Sequence, residues 1–325
     1  MTSAVTTTGE ARSGAAPATK RRRPIRRGPT AKKEQRSAVR RGPAPWLMIA
    51  PAVVGIMVFQ YYPVLVAVVH SMQRFDPFTH APIEFAGLDN YIRMFTGADF
   101  QTSLWNTLLY VVISLLIEIP LSLGLAVLID RKLPGTRFVR IAVIATLAAS
   151  ETVAAIVWAQ MYSPDQGLLN GILGVFGLPP QSFLSSSGQS LISVVVMSSW
   201  KNIGIPTLIF LTGLQAIPRD YYEAAAIDGA GNFRQFTKIT VPLLRGSSVV
   251  VLFMSTLAAT RIFVPIVLMT QGGPNGATSN LVYYSYEQAF QYNSAGTASA
   301  AAIFMLAFLG VIIAIQFKVL GAKDE

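Results

Sequence analysis

LWNTLLYVVISLLIEIPLSLGLAVLI, residues Leu104 to Ile129, contains a single Asp, Glu, Lys or Arg side chain, Glu118. A run this apolar is long enough to cross about 30 Å of hydrocarbon. Five more such runs, at 46–69, 138–162, 190–215, 248–270 and 297–319, complete a set of six. Helices are the physical choice for them, because lipid offers backbone N–H and C=O groups no partners. A membrane barrel needs many ten-residue alternating segments, and these runs do not alternate. The expected fold class is therefore an all-α polytopic membrane protein, its transmembrane domain covering residues 46–320.

Composition agrees. Asp, Glu, Lys and Arg make up 13% of the 325 residues, against about 25% in a soluble domain. Apolar residues make up 52% and the mean hydropathy is +0.48. These values exclude an ordinary soluble enzyme and a disordered chain. The absence of Cys excludes disulfides, thiolate metal sites and Cys nucleophiles, and two His, His70 and His80, leave little for a metal cage. The expectation is no metal site and no catalytic residue.

The net charge of +10 has one address. Residues 1–45 hold twelve Lys/Arg against Glu10 and Glu34, and the remainder of the chain is neutral, so the imbalance is no nucleic-acid surface of a folded domain. This tail lacks an apolar period and reads as disordered and cytoplasmic; it is too long and too polar for a signal peptide. The second loop and its flanks carry Arg131, Lys132, Arg137 and Arg140. The fourth carries Arg219, Arg234, Lys238 and Arg245. The first has Arg74 and Arg93, and the third and fifth have none. Positive loops face the cytoplasm, which puts both termini inside, including the short C-terminus 321–325, and the even span count agrees. The two long outer loops contain an amphipathic stretch, Phe85 to Phe95, and a segment that opens on Gly272-Gly273-Pro274 and continues through Tyr283, Tyr284 and Tyr286. Partner contact and interfacial packing of the tyrosines are both open readings.

The fourth loop, residues 216–246, is the most informative. It reads Ile217-Pro218-Arg219-Asp220-Tyr221-Tyr222-Glu223-Ala224-Ala225-Ala226-Ile227-Asp228-Gly229-Ala230-Gly231-Asn232 and closes with Ile239-Thr240-Val241-Pro242. Tyr221 to Ile227 favours helix, with Pro218 near its start. Gly229 and Gly231 break it, and Asn232 is a candidate N-cap for a second short helix. The small residues Ala224, Ala225, Ala226 and Gly229 let another backbone approach closely, with Glu223 as an anchor charge beside them. The pattern suits a helix-turn-helix that inserts into a cleft on another protein; an amphipathic helix resting on the membrane is the plainer alternative.

Glu223, Ala224, Ala225, Gly229, Ile239 and Pro242 resemble the EAA loop of binding-protein-dependent ABC importer permeases at the expected spacing, with Val241 where that family usually has Leu. Gly87-Leu88-Asp89-Asn90-Tyr91, Asn106-Thr107, Glu151 to Trp158, Gly167-Leu168-Leu169-Asn170 and Thr270-Gln271-Gly272-Gly273-Pro274 narrow the resemblance to the carbohydrate-uptake permeases of the maltose and glycerol-3-phosphate type. The resemblance spans about residues 46–320.

It implies a six-helix type I importer transmembrane subunit whose EAA segment is a cytoplasmic coupling helix, with Glu223, Ala224, Ala225, Asp228 and Gly229 docking to an ATPase. It implies a second homologous permease subunit, two cytoplasmic ATPase subunits, an extracytoplasmic substrate-binding protein and a place in the cell membrane. ATP and Mg would be used by the ATPase subunits; this subunit carries no G-x-x-x-x-G-K-[ST] loop and binds no cofactor.

Four charges lie near span centres: Glu118, Glu151, Lys201 and Arg261. A charge at that depth costs roughly 2.5–3.5 kcal/mol on insertion scales, so these are expected to face the bundle interior or a watery cavity. Two readings stay open: a polar translocation site, or ion pairs between helices. The resemblance places substrate contacts at mid-depth of the fourth and fifth spans, which here hold Lys201, Asn202 and Ile205, and Met254, Ala258 and Arg261. Phe263-Val264 departs from the Phe-Asp common in the family, and Pro265 is expected to kink the fifth span. Of the tryptophans, Trp46 and Trp105 read as membrane anchors or core, and Trp158 and Trp200 are further candidates for lining the path. Besides a sugar, a glycerol-phosphate or glycerophosphodiester substrate stays open. A secondary transporter powered by ions is a rival, as is a membrane scaffold with a basic tail; the first lacks a convincing internal repeat and the second leaves the EAA spacing unexplained.

Overall fold

The computed structural model describes residues 44–76, 78–79, 81–131 and 133–321. Most of the basic tail, for which disorder was expected, lies outside the described residues, as do His80, Lys132 and the last four residues. Contacts divide the chain after Ala52. The described part of the first unit, residues 44–52, is helical and belongs to α1 (Ala44–Ile56); every later element belongs to the second unit.

A π-helical turn at Met57–Tyr61 leads into α2 (Tyr62–Ser71). The hairpin β1 (Gln73–Phe75) and β2 (Pro82–Phe85) comes next, with Arg74 opposite Glu84. The all-α expectation did not include this sheet. Then come α3 (Asp89–Thr96), α4 (Ala98–Asp130), α5 (Thr136–Ala148), α6 (Glu151–Met161) and α7 (Leu168–Val175), followed by α8 (Ser190–Asn202) and α9 (Gly204–Gln215). The fourth loop holds α10 (Asp220–Ile227), α11 (Asn232–Gln235), a second π-helical turn at Phe236–Thr240 and α12 (Val241–Leu243). The chain ends with α13 (Arg245–Thr260), α14 (Val264–Met269), α15 (Leu281–Phe290) and α16 (Ala295–Gly321).

Among the described residues three helices are long and apolar enough to cross a membrane: Trp46–Ser71, Ala98–Asp130 and Ala295–Val319. Three bent pairs bring the number to six if each is one span: α5 with α6 at 110°, α8 with α9 at 50°, and Asn232–Leu243 with α13 at 68°. The expected spans 138–162 and 190–215 are thus interrupted, and 248–270 is interrupted where α13 gives way to α14. Proline accounts for several of the interruptions. Its ring clashes with the carbonyl four residues back. Pro206 does so at Asn202, where α8 stops; Pro63 and Pro242 follow the two π turns, at Phe59 and Lys238. Pro265 does not kink a continuous helix. The helix ends at Thr260 and restarts at Val264, with Pro265 in the first turn, where its missing N–H leaves no bond unmade.

Helix α4 is the spine. Its 33 residues span about 50 Å at 1.5 Å per residue, and it meets three apolar clusters in succession. Near its start Phe100 packs with Met94, Leu281, Tyr284, Ala300 and Ala301. Midway Tyr110 and Val111 pack with Val194, Val195, Met197 and Ile266. Near its end Ala126 and Ile129 pack with Phe210, Leu211, Leu244 and Val251. The polarity of α4 is the reverse of a soluble helix. Ser103, Asn106, Thr107, Ser114, Glu118 and Ser122 are buried, whereas Trp105, Val112, Leu116 and Leu121 are exposed. Leu116 is 68% exposed and Glu118, two residues on, 4%. Lipid is the only solvent in which that pattern is economical. Many buried hydroxyls bond back to their own helix, as Thr107 to the Ser103 carbonyl at 2.7 Å and Thr207 to that of Ile203 at 2.7 Å, so they need no partner from the apolar surroundings.

The stretch Gly87 to Tyr91, which carries part of the resemblance, proves to be a fastening. The Asn90 amide donates to the carbonyls of Ser71 and Gln73, each at 2.9 Å, and the Tyr91 hydroxyl donates to Ser71 Oγ at 2.9 Å. Asp89 meets Arg74 at 2.8 Å and Arg93 at 3.1 Å. All three ionic groups are substantially exposed, and such pairs contribute about 0–1 kcal/mol; the Asn90 bonds, being buried, matter more. Replacing Arg74 by Ala is therefore expected to shift thermal unfolding in detergent by less than about 1 kcal/mol. A larger shift would mean that the pair network organises the hairpin.

Candidate functional site

The fourth loop folds from small residues. Asp220 and Glu223 lie in the first turn of α10, where negative charge suits the helix N-terminus. Asp228 caps its end, and Gly229 takes φ +76, a backbone region that costs an L-residue with a Cβ roughly 1–2 kcal/mol. The second helix begins one residue earlier than expected: Gly231 is the N-cap, without a side-chain capping bond, and Asn232, the expected cap, is the first helical residue. The loop is fastened to the bundle by Tyr222, whose hydroxyl pairs with Thr240 Oγ1 at 2.9 Å. Gln235 secures the turn by donating to the Ala230 carbonyl at 2.9 Å.

The loop offers large apolar side chains to the outside among exposed charges. Ile227 is 87% exposed and Phe233 81%, and Tyr221, Glu223, Ala224, Asp228 and Gly229 are exposed around them; Ala225 is half-buried. A Cβ built on Gly229 or Gly231 would meet nothing within 4 Å, so no atom of this chain requires their smallness. Behind the loop, a cavity of about 750 Å³ is walled by the ends of α4 and α9 together with Arg219, Tyr222 and Gln235. The loop is thus a raised element with hollow ground under it, a geometry that accepts a partner on top and movement beneath.

The central charges are explained by the helix breaks. Glu151 begins α6 immediately after the 110° bend. Lys201 lies in the last turn of α8, and Arg261 caps the end of α13. In each case the sign matches the helix terminus: acid at an N-terminus, base at a C-terminus. Half-helix ends pointing into a bundle are a recurrent way to build an ion or substrate site in a transporter. Glu151 and Arg261 are exposed and Lys201 and Asn202 half-buried. The face of α13 that carries Met254, Ala258 and Arg261 is uncovered, as is Ile205 on α9. The structure therefore brings the candidate path residues onto uncovered surface of neighbouring helices.

Glu118 is different. It is buried, and its carboxylate accepts a hydrogen bond from Ser255 Oγ at 3.0 Å. Among the described residues no ion pair joins Glu118 or Glu151 to Lys201 or Arg261. The possible core ion pairs are not formed, because Lys201 and Arg261 end helices on the uncovered face whereas Glu118 points into the interior of α4 and α13. Trp158 and Trp200 do meet, with ring centroids 5.5 Å apart. His70 stacks edge-on to Phe75. No group of three or more His, Cys, Asp or Glu able to hold a metal occurs among the described residues.

The loop that follows α14 was legible as a motif but not as a site. Gly272 takes φ +77, and a Cβ there would fall on the Tyr283 ring, whose hydroxyl donates to the Gln271 carbonyl at 2.9 Å. Asn280 caps α15 by accepting from the Tyr283 amide at 2.8 Å and also donates to the Ile262 carbonyl at 2.7 Å, at the break between α13 and α14. Gly272→Ala combines backbone strain of roughly 1–2 kcal/mol with displacement of a buried ring, and a loss of about 2–4 kcal/mol is expected in equilibrium unfolding. An unchanged unfolding curve would show that the Tyr283 ring yields freely.

A family model described as binding-protein-dependent transport system inner membrane component matches residues 44–323. The sn-glycerol-3-phosphate transport system permease protein UgpA of Salmonella typhimurium is 31% identical over 280 residues, which is 86% of this chain and 94% of that protein. The arabinooligosaccharides transport system permease protein AraP of Bacillus subtilis is 34% identical over 282 residues, 86% and 89% of the two chains. Among solved structures, a chain of a bacterial alginate ABC transporter in complex with an alginate pentasaccharide-bound periplasmic protein superposes with a TM-score of 0.73 at 23% identity, covering 84% of this chain and 92% of that one.

Proposed function

The chain belongs to the family of binding-protein-dependent transport system inner membrane components, and on that premise we propose that it is the permease subunit of an ATP-driven importer for a sugar or related compound. The observation that carries the reading is the exposed fourth loop: an eight-residue helix, a glycine turn and apolar side chains offered outward. In this reading α10 docks into a cytoplasmic ATPase subunit, which binds ATP and Mg. A homologous permease subunit covers the face of Ile205, Met254, Ala258 and Arg261, and the two together enclose the path. An extracytoplasmic binding protein delivers substrate at the opposite end of α4. The chain sits in the cell membrane with both termini in the cytoplasm and carries out no chemistry of its own. The bundle has two arrangements, and docked nucleotide subunits and loaded binding protein bias the equilibrium between them. Uptake into membrane vesicles that fails on ATP depletion and survives an uncoupler tests the energy source; the opposite result identifies ion coupling.

One observation favours an anionic substrate as a second reading. Lys201 and Arg261 lie near the uncovered face and no carboxylate of the described residues pairs with them. UgpA, one of the matched relatives, is named for sn-glycerol-3-phosphate transport. A charge-assisted hydrogen bond is worth about 1.5–3 kcal/mol, so Lys201→Gln with Arg261→Gln should cut uptake of a polyol phosphate about tenfold or more while sparing a neutral disaccharide. A transport assay with both compounds decides it, and unchanged affinity and rate for both would make the two cations structural.

A further inference from the structure

At the end of α4 away from the coupling loop lies a second polar cavity, of about 280 Å³. Asp99 in the first turn of α4 and Glu287 on α15 line it, beside Tyr283, Tyr284 and Tyr292, and the loop that begins Gln271-Gly272-Gly273 forms its lip. Burial first, and then the Asp99 charge, push the Glu287 carboxyl above its usual range. Among the described residues neither carboxylate forms an ion pair with a Lys or Arg.

The second observation is Tyr284. It is 5% exposed, with its ring edge-on to Phe100. Among the described residues its hydroxyl has no hydrogen-bond partner, although Tyr283 beside it is bonded to the Gln271 carbonyl. That hydroxyl borders the cavity. Two carboxylates, Asp99 exposed and Glu287 half-buried, thus share one cleft with a hydroxyl that has no partner among the described residues. An incoming cation suits all three: it pairs with both carboxylates, donates to the Tyr284 oxygen and finds aromatic faces at Tyr283 and Tyr292.

We infer that this cavity is a socket for a Lys or Arg side chain carried by the extracytoplasmic binding protein, the charged head seated between Asp99 and Glu287 against Tyr284. The inference rests on the partner reading under Proposed function. The cavity holds roughly nine water volumes at about 30 Å³ each, room for a side chain rather than a bare ion. Calcium is a poor alternative, because it takes 6–8 oxygen ligands and the described residues gather no three acids.

The test uses the assembled transporter in lipid nanodiscs and its loaded binding protein, with docking affinity measured across a salt series. Asp99→Asn with Glu287→Gln should weaken docking about tenfold or more and flatten its salt dependence. Glu287→Lys should weaken it further, and Tyr284→Phe should weaken it about threefold with the salt dependence kept. Should the double variant assemble poorly, Glu287→Gln alone and Tyr284→Phe carry the comparison. Docking indifferent to all of these overturns the socket while leaving the transporter reading intact. Uptake of radioactive calcium that disappears in the double variant also overturns it. A wild-type transporter that docks no binding protein overturns both readings.

Discussion

Substrate uptake should fall about 100-fold or more in a Glu223→Lys, Gly229→Asp variant that still reaches the membrane. The two substitutions cost this chain little and a docked interface much. Within the chain, Glu223 is exposed, and reversing its charge near the start of α10 costs about 0.3–1 kcal/mol. A side chain at Gly229 meets no atom within 4 Å, and Asp is among the residues that tolerate φ near +76 at a cost of roughly 1 kcal/mol. At a docked interface the same change places a cation where a carboxylate anchored the partner and a charged group where backbones were in contact. Truncating one member of a buried charged pair costs about 2–5 kcal/mol or more, and about 2.7 kcal/mol is already a factor of about 100. Uptake in vesicles, an immunoblot of the membrane fraction and co-purification of the ATPase measure the three quantities. Full uptake in this variant would remove α10 from the coupling role.

Asn106→Leu should be among the most destabilising single changes in the bundle. Asn106 is 7% exposed, and its amide donates to the carbonyls of Gly276 at 2.8 Å and Ser279 at 2.9 Å. Next to it Thr107 Oγ1 accepts from the Leu281 amide at 3.0 Å, and Ser103 pairs with Ser279 at 2.9 Å. Together these bonds clamp the loop before α15 onto α4. Leucine matches the size but leaves the Ser279 carbonyl without a donor, at about 1–3 kcal/mol, and takes one of two donors from the Gly276 carbonyl, which keeps the Ser279 amide, so the variant should lose about 2–4 kcal/mol. Thermal or denaturant unfolding of the detergent-solubilised protein measures this, with Asn106→Asp as the comparison that removes the donors but keeps the shape. A loss below about 1 kcal/mol would mean that water replaces the amide and that the clamp is open to solvent. Arg74→Ala, which breaks shorter but exposed contacts, should cost far less; solvent, not distance, ranks the two.

The sequence was legible wherever one local property decides the outcome. Hydrocarbon thickness is a length, and six runs could be measured against it. The turn at Gly229 requires a positive φ, and the glycine announces it. The spacing from Glu223 to Pro242 is a local ruler, and the element appears where that ruler lies, with only its second N-cap displaced by one residue. Pro63, Pro206 and Pro242 also mark breaks, through the carbonyl four residues back, though mean hydropathy hid those at Pro63 and Pro206 inside continuous apolar runs.

Tertiary structure alone decided which side of each helix is inside and what each central charge is for. Glu118 and Glu151 look alike along the chain: single acids in apolar runs. Folding gives Glu118 the hydroxyl of Ser255, 137 residues away, and buries it, while Glu151 starts a half-helix and stays exposed. Asn106 meets Ser279 across 173 residues, and the cleft of Asp99 and Glu287 exists only once α15 lies against α4. The physical reason is the same each time. Crossing lipid is a property of one segment, settled by that segment's own transfer free energy. A buried polar group is settled by whichever partner the packing of other segments brings within about 3 Å, and no property of a single segment names that partner.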